Sequence, residues 1–418
     1  MKKNVWVLNH YATGHFYEKG GRHFWISEQL KKQGYCPVVF GASDLHNYDK
    51  SIELGKKKFK VVKTGIKVPL VIVKVHPEEN GGIHRVLNMV DYYKNVQYAA
   101  KKYAAKHGKP DIIYASSVHP LTLIAGQKLA RKYHVPCICE IRDLWPETMV
   151  LMGIWKKNLL TKMMYAGEKW IYKKADALVF TMEGAPEYIK GRKWDSQSGG
   201  CIDLDKIYHI NNGVDLKRFK KNAAAYPVED DDLSEEGIFI VNYTGSIRAA
   251  NSVSDLVETA RYLKELHNER VKILIWGAGD YVEELCSMID NSGLDNIRYK
   301  GVVKKVMIPS VLIQGDVNVY TFRDGGTKYG IDLNKCFEYL ASGKPLIGND
   351  DTLFSVIRKY DCGVEKKMDA KELAEVIHKM SELPPKEYAR LCENASAAAK
   401  EYDFSVLTGK LINIIENL

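Results

Sequence analysis

The chain has 418 residues, 45% hydrophobic and 27% charged, enough for two or three domains with substantial cores. No apolar run approaches the ~18 residues a membrane-spanning helix needs, and the opening MKKNVWVLNHYATGHF lacks the apolar stretch of a signal peptide. Eight scattered cysteines show no metal-binding spacing and point to reduced, cytoplasmic thiols. The net charge of +9 is unevenly spread, with +14 in residues 1–215 and −5 in the rest. A basic half implies an anionic partner, namely nucleic acid, an anionic membrane or a lipid pyrophosphate, unless it is only a solvated surface. The half carries no recognised nucleic-acid reader, so no nucleic-acid partner is expected.

Residues 5–8 read as a first parallel strand, 22–33 as a helix closed by Gly34, and 37–40 as a second strand, which is a βαβ opening. Gly14, Gly20 and Gly21 fall where such a loop meets its helix, without the G-x-G-x-x-G of a dinucleotide site. Residues 56–75 alternate lysine with apolar residues, the pattern of half-exposed strands. A helix follows over 81–107, its Tyr92, Tyr93, Tyr98 and Tyr103 assigned mostly to core. Residues 111–115 form a strand whose carboxyl-end loop carries His119. Open α/β sheets bind ligands at such ends, so His119 is a candidate cleft residue, although a lone histidine is more often structural. The strand 136–141 runs into Arg142-Asp143-Leu144-Trp145-Pro146-Glu147. Its arginine and two acids either line a ligand site or pair internally around Trp145.

In residues 155–174, Trp155, Leu159, Met163, Ala166, Trp170 and Lys173 recur at helical spacing among lysines. Either this is a membrane-surface segment, or one face is core and the lysines are solvated, which is the commoner arrangement. Residues 175–181 are a buried strand, and 207–219 turn at Asn212-Gly213 into a linker reaching Gly237. Its Glu229-Asp230-Asp231-Asp232 run contains a D-x-D but reads as a solvated acidic loop. Strand 238–244, the turn Gly245-Ser246-Ile247-Arg248 and a helix from about 253 repeat the opening. Strand 272–276 ends in Gly277-Ala278-Gly279, with no third glycine to complete a dinucleotide motif. Strands 297–302, 316–321 and 346–348 follow, then helices over 351–358 and from about 369 and 385, and an amphipathic final segment 404–418.

The most informative stretch is 328–348, KYGIDLNKCFEYLASGKPLIG, preceded by Gly325 and Gly326. Glycines admit close backbone approach, and a helix should run from about Leu333 to Gly343, a C-terminal cap. Asn334, Lys335 and Glu338 share one of its faces. Amides at a helix start attract anions and Lys335 adds a charge, while a carboxylate one turn deeper can accept two hydrogen bonds from a ribose diol. These features outline a nucleoside diphosphate site; an ordinary surface helix with an i,i+3 ion pair is the alternative.

This run resembles the carboxylate helix of retaining glycosyltransferases of family 4. Its closest likeness is to the capsule and O-antigen (fucosaminyltransferase-like) branch that reads YGxxxNKxFEYxAxGKP, and RDLWPE at 142–147 is a signature of the same branch. The resemblance implies an α/β GT-B fold of two doubly wound Rossmann-like domains facing an interdomain cleft. It places residues 1–214 with helix 404–418 in an acceptor domain and 215–403 in a donor domain. Arg248 matches a diphosphate-binding arginine, and Gly21, Gly245, Gly330, Asp332, Asn334 and Glu338 fall in donor-binding positions. Gly330 stands where most of the family has a first glutamate, and Asp332 is the candidate substitute.

The implied activity is transfer, with retention, of a sugar such as an N-acetylated amino sugar or deoxy sugar. It would pass from a UDP-sugar to a polyprenyl-pyrophosphate-linked glycan in surface polysaccharide assembly. Arg248 and Lys335 would neutralise the departing diphosphate, so no metal or other cofactor is expected. His119 and Asp143 would orient hydroxyls, and Arg142 and Glu147 would bind the acceptor. The expected location is the inner face of the cell membrane, in peripheral contact with anionic lipid. A nucleotide-sugar epimerase on the same plan and a non-catalytic partner of another transferase remain open.

Overall fold

The computed structural model describes residues 3–45, 51–78, 82–117, 119–322, 328–330, 332–350 and 352–418. The chain divides into two compact units, Met1–Asn211 with Phe404–Leu418, and Asn212–Asp403.

The first unit is built on β1 (Asn4–Asn9), α1 (Ala12–Glu18), α2 (Arg22–Lys32), β2 (Cys36–Ala42), β3 (Phe59–Lys63), β4 (Pro69–Val73) and α3 (Gly82–His107). It continues through β5 (Ile112–Ser116), α4 (Pro120–Tyr133), β6 (Cys137–Ile141), α5 (Glu147–Leu151), α6 (Leu159–Lys174), β7 (Ala177–Phe180), α7 (Ala185–Gly191) and β8 (Ile207–His209). Among the described residues its strands form one sheet in the order β3-β4-β2-β1-β5-β6-β7-β8. Only the β3–β4 pairing is antiparallel. Helix α4 packs against both α3 and α6, so the three form one helical layer. The closing helix Phe404–Asn417 packs with α2, and its Phe404, Leu407, Leu411 and Ile415 are buried in a core shared with Val5, Val7 and Leu30. Covered on both faces, β1 is buried beyond Asn4 and β5 along its whole length, rather than alternating.

The second unit contains α8 (Leu216–Ala225), β9 (Phe239–Thr244), α9 (Asp255–Glu265), β10 (Val271–Trp276), α10 (Val282–Ser292), β11 (Ile297–Gly301), α11 (Ile308–Gln314) and β12 (Val317–Thr321). Then come α12 (Asn334–Ser342), β13 (Leu346–Asn349), α13 (Val356–Tyr360), β14 (Gly363–Glu365), α14 (Ala370–Ser381) and α15 (Pro385–Glu401). Its strands run parallel in the order β11-β10-β9-β12-β13-β14. The arrangement is that of two Rossmann-like α/β sheets, as expected from the repeated strand–turn–helix pattern.

Several local expectations are corrected. The basic stretch 56–75 is not uniformly half-exposed: β3 is, but Leu70 to Val73 of β4 are fully buried because β4 lies inside the sheet between β3 and β2. Of the four tyrosines of α3, Tyr92 and Tyr103 are core while Tyr98 is exposed. The stripe on α6 is not core: Leu159, Met163 and Trp170 face outward, and the buried side is Thr161, Glu168, Ile171 and Tyr172. The segment to Gly237 holds α8, capped by the Asp215 carboxylate accepting from the Arg218 amide. Its acidic run is not simply solvated, since Asp232 accepts from Lys272 (3.0 Å) and Lys300 (2.6 Å) and Asp230 pairs with Lys300 (2.9 Å). The helix read over 351–358 is shorter, Val356–Tyr360, and Asp351 lies outside the described residues. Among the described residues no helix is long and apolar enough to cross a membrane, and no His/Cys/Asp/Glu group could hold a metal.

Candidate functional site

The carboxyl end of β9 delivers the turn Gly245 to Arg248. Gly245 has φ 150°, and a Cβ there would stand 2.6 Å from Nζ and 2.8 Å from Cε of Lys335. A side chain there would displace the ammonium from this position. Lys335, at the second position of α12, donates to the Tyr243 hydroxyl (3.0 Å) and lies 4.3 Å from the ring centroid. Burial lowers its pKa to about 8, with the Glu338 charge opposing. Glu338, one turn further and half-buried, is raised by burial, with Lys305 and then Lys335 opposing. A cation and a carboxylate are thus held on one face of α12, each short of full solvation.

The second glycine loop braces the first. A Cβ at Gly277 would overlap the carbonyl oxygen of Gly245, and one at Gly279 would overlap that of Ile247. The close approach lets Gly245 N–H bond the Trp276 carbonyl (3.0 Å) and Ile247 N–H the Ala278 carbonyl (2.8 Å). The pattern that fails as a dinucleotide motif therefore supports the turn beside Lys335. Asn251 steadies the same turn by donating to the carbonyl (2.6 Å) and Oγ (2.8 Å) of Ser246.

Arg248 is exposed. It lies three positions after Gly245, so the two Cα atoms are within about 11 Å of each other. Asn334 is exposed at the start of α12; among the described residues no side chain caps that start, and the Cys336 amide bonds the Leu333 carbonyl (3.0 Å). Gly330 takes φ 114°, a conformation that favours glycine. Gly325 and Gly326 lie outside the described residues. The Asp332 carboxylate accepts from the Asn212 amide (2.6 Å) and its carbonyl from the Asn212 side chain (3.1 Å). That fastens the Asn-Gly turn to the strand-to-helix loop.

In the first unit His119 is fully buried at the start of α4. Its Nε2 shares a hydrogen with His10 Nδ1 (2.7 Å), and His10 stacks on Tyr92 at 4.5 Å. Burial, then Arg85, lower His119 to about 3, so it is neutral near pH 7. Its Nδ1 is buried without a partner among the described residues. On the neighbouring strand, β6 leads to half-buried Arg142, whose amide donates to Ser117 Oγ (3.1 Å), and to exposed Asp143. His119 and the Arg142-Asp143 pair therefore follow adjacent strands at the same end of the sheet. Glu147 is engaged internally, accepting from the Tyr165 hydroxyl (2.5 Å) and pairing with Arg192. Gly21, φ 90°, packs against the His15 ring, which a Cβ would approach to 2.7 Å.

A buried ionic network was not foreseen from sequence. Glu140, last but one in β6, binds Arg22 Nε (2.7 Å), His23 Nε2 (3.0 Å) and the Tyr114 hydroxyl. Arg22 also donates to the Ile210 carbonyl (2.9 Å) and to that of Asn211. Burial alone would raise Glu140, but Arg22 and His23 hold it well below the usual carboxylate range. An acid inside the apolar run CICEI was the available signal, because a buried charge requires a partner.

Residues 229–398 match the model for glycosyl transferases group 1, and residues 26–218 the model for Glycosyltransferase Family 4. No curated protein sequence matches the chain. Among solved structures, sucrose-phosphate synthase from Thermosynechococcus elongatus superposes with TM-score 0.69 at 18% identity, covering 100% of this chain and 99% of that one. Anabaena HepE in complex with UDP and glucose gives 0.65 at 15%, covering 100% of both chains. An E. coli trehalose-6-phosphate structure bound with UDP-2-fluoro glucose gives 0.71 at 12%, covering 99% of both.

Proposed function

Because the chain is a GT-B glycosyltransferase, with a group 1 unit following a family-4-like unit, we propose that it transfers a sugar from a UDP-sugar, with retention, to a polyprenyl-pyrophosphate-linked glycan. UDP is favoured by the Anabaena and E. coli neighbours, which carry UDP and a UDP-sugar analogue. The lipid-linked acceptor and a place in capsule or O-antigen assembly rest on the YGxxxNKxFEY and RDLWPE strings and on the basic first half. A peripheral position on an anionic membrane follows from the same charge.

The observation that carries this reading is Lys335, a half-buried cation set against a glycine that makes room for it. As the C1–O bond of the donor breaks, negative charge gathers on the diphosphate. Lys335 and Arg248, with the amides at the start of α12, would stabilise that charge by several kcal/mol in a partly dry setting. Glu338 would accept the ribose hydroxyls and so orient the nucleotide. Asp143 and neutral His119 would position sugar hydroxyls, and Arg142 would meet the acceptor. Glu147 would act through the loop it fastens with Arg192. Fixed cations supply the neutralisation, so no metal is called for.

Thermal-shift screening with UDP, GDP and dTDP, each alone and as sugar conjugates, tests the donor site. A shift with UDP compounds that Glu338→Ala removes is expected. A Glu338→Ala protein with an undiminished UDP shift would refute the site. Release of UDP on adding a short polyprenyl-pyrophosphate glycan, but not the free oligosaccharide, tests the acceptor.

A further inference from the structure

The strongest unassigned feature is the outer face of α6 and the turn before it. Leu159 is 75% exposed, Leu160 64% and Met163 64%, with Ile154 and Trp170 also in solvent. Leu159, Met163, Ala166 and Trp170 follow one another along one side of the helix, opposite the buried Glu168, Ile171 and Tyr172. Large apolar side chains in such a row, rather than scattered singly, mark an interaction surface.

Along the helix and the turn before it, the exposed charge is of one sign. From Met152 to Ala175 the ionisable acids and bases other than tyrosine are Lys156, Lys157, Lys162, Lys169, Lys173, Lys174 and a single acid, Glu168. Glu168 is buried, accepts from the hydroxyls of Tyr172 (2.7 Å) and Tyr188 (2.6 Å), and is pushed up by burial to about 8. It therefore adds little negative charge to the surface near pH 7. Lys174 lies 4.2 Å from the Trp170 ring centroid, an arrangement that leaves the ammonium at the edge of an apolar strip.

A second apolar group lies at the same end of the same helical layer. Ile83, Val86 and Leu87 at the start of α3 are exposed. Helix α4 packs between α3 and α6, so the two groups are roughly 20 Å apart at ordinary helix spacing. A flat partner could meet both; a single peptide groove would not span them.

We propose that the outer face of α6, with Ile154 and the exposed start of α3, docks this protein on an anionic lipid bilayer. The apolar row enters the boundary between headgroups and acyl chains, and the lysines reach anionic headgroups on either side. The surface includes none of the residues assigned to donor binding. The proposal deepens the lipid-linked acceptor reading by naming the face that meets the membrane.

The test is co-sedimentation of the whole protein with vesicles of phosphatidylglycerol and phosphatidylcholine, compared with phosphatidylcholine alone, at low and high salt. Binding to the mixed vesicles that weakens with salt is expected. Each lysine near an anionic surface contributes roughly a fivefold factor, so Lys156→Ala/Lys157→Ala/Lys162→Ala should bind roughly a hundredfold more weakly. Leu159→Ser/Leu160→Ser/Met163→Ser should lose binding even at low salt. Both variants should keep the wild-type UDP thermal shift, which reports folding and donor binding independently. Variants that bind vesicles as wild type does would overturn the assignment. So would a wild-type dimer that the leucine variant converts to monomer without any vesicle binding, because a second copy would then be the occupant. Loss of the UDP shift in wild type would instead refute the donor site and leave this surface standing.

Discussion

Replacing Lys335 by methionine separates stability from function, because the structure makes the ammonium a cost in the ligand-free protein. Its pKa falls from 10.5 to about 8, chiefly through burial, which corresponds to about 3 kcal/mol of destabilisation by the charged form. Below about pH 8 the folded ammonium is protonated and bears the full cost. Between about 8 and 10.5 the unfolded chain keeps the proton while the folded chain releases it, so this contribution to stability improves as pH rises; above 10.5 the states no longer differ. Lys335→Met, similar in length and uncharged, should therefore raise the midpoint of the ligand-free protein near pH 7 by a few degrees. It should also remove a charge-assisted contact to the diphosphate, weakening UDP about tenfold or more and slowing transfer about 10²- to 10³-fold. The assay is thermal and urea unfolding with and without UDP at about pH 7 and 9, wild type and variant in parallel. In wild type the UDP shift should shrink toward the higher pH as the free ammonium loses its proton. An unchanged UDP shift in Lys335→Met, or a less stable ligand-free variant together with a pH-independent wild-type shift, would refute the reasoning.

Arg248→Ala should cut transfer about a hundredfold yet leave the unfolding midpoint almost unchanged, because the side chain is exposed; steady-state kinetics beside a melting curve checks both. Arg22→Ala should destabilise by about 3–5 kcal/mol by stranding the buried Glu140 carboxylate, read by urea unfolding. Glu140 is held low in the folded state, so the stability it contributes is present above the ordinary carboxylate pKa of 4.5 and lost as pH falls through the folded value. Acid unfolding of Glu140→Gln should accordingly be less pH-dependent than that of wild type. Sugar transfer should persist in excess EDTA, measured as UDP release, if Arg248 and Lys335 neutralise the leaving diphosphate as proposed.

The elements of the proposed donor site were readable where chemistry is local. The glycine turn after β9, the start of α12 and Gly343 at its end (φ 69°) follow from residues within one turn of each other. Other features depend on what packs from elsewhere. Periodicity shows that α6 has an apolar side, but not that the sheet covers the opposite one. The acidic run 229–232 looks solvated until Lys272 and Lys300 arrive from β10 and β11. Gly277 and Gly279 seem a failed motif because their purpose is the carbonyl oxygens of another loop. His10 and His119 are unremarkable singly, and their pairing requires β1 and β5 to be neighbours.

The closing helix Phe404–Asn417 belongs to the first unit although the whole second unit precedes it in the chain. During synthesis, then, the amino-side sheet leaves the ribosome with the apolar side of α2 uncovered. It must wait while Asn212–Asp403 is translated before its last piece arrives. The second unit is contiguous and has no such delay, so released chains truncated after Asp403 should hold a protease-resistant second unit beside a still-vulnerable first one.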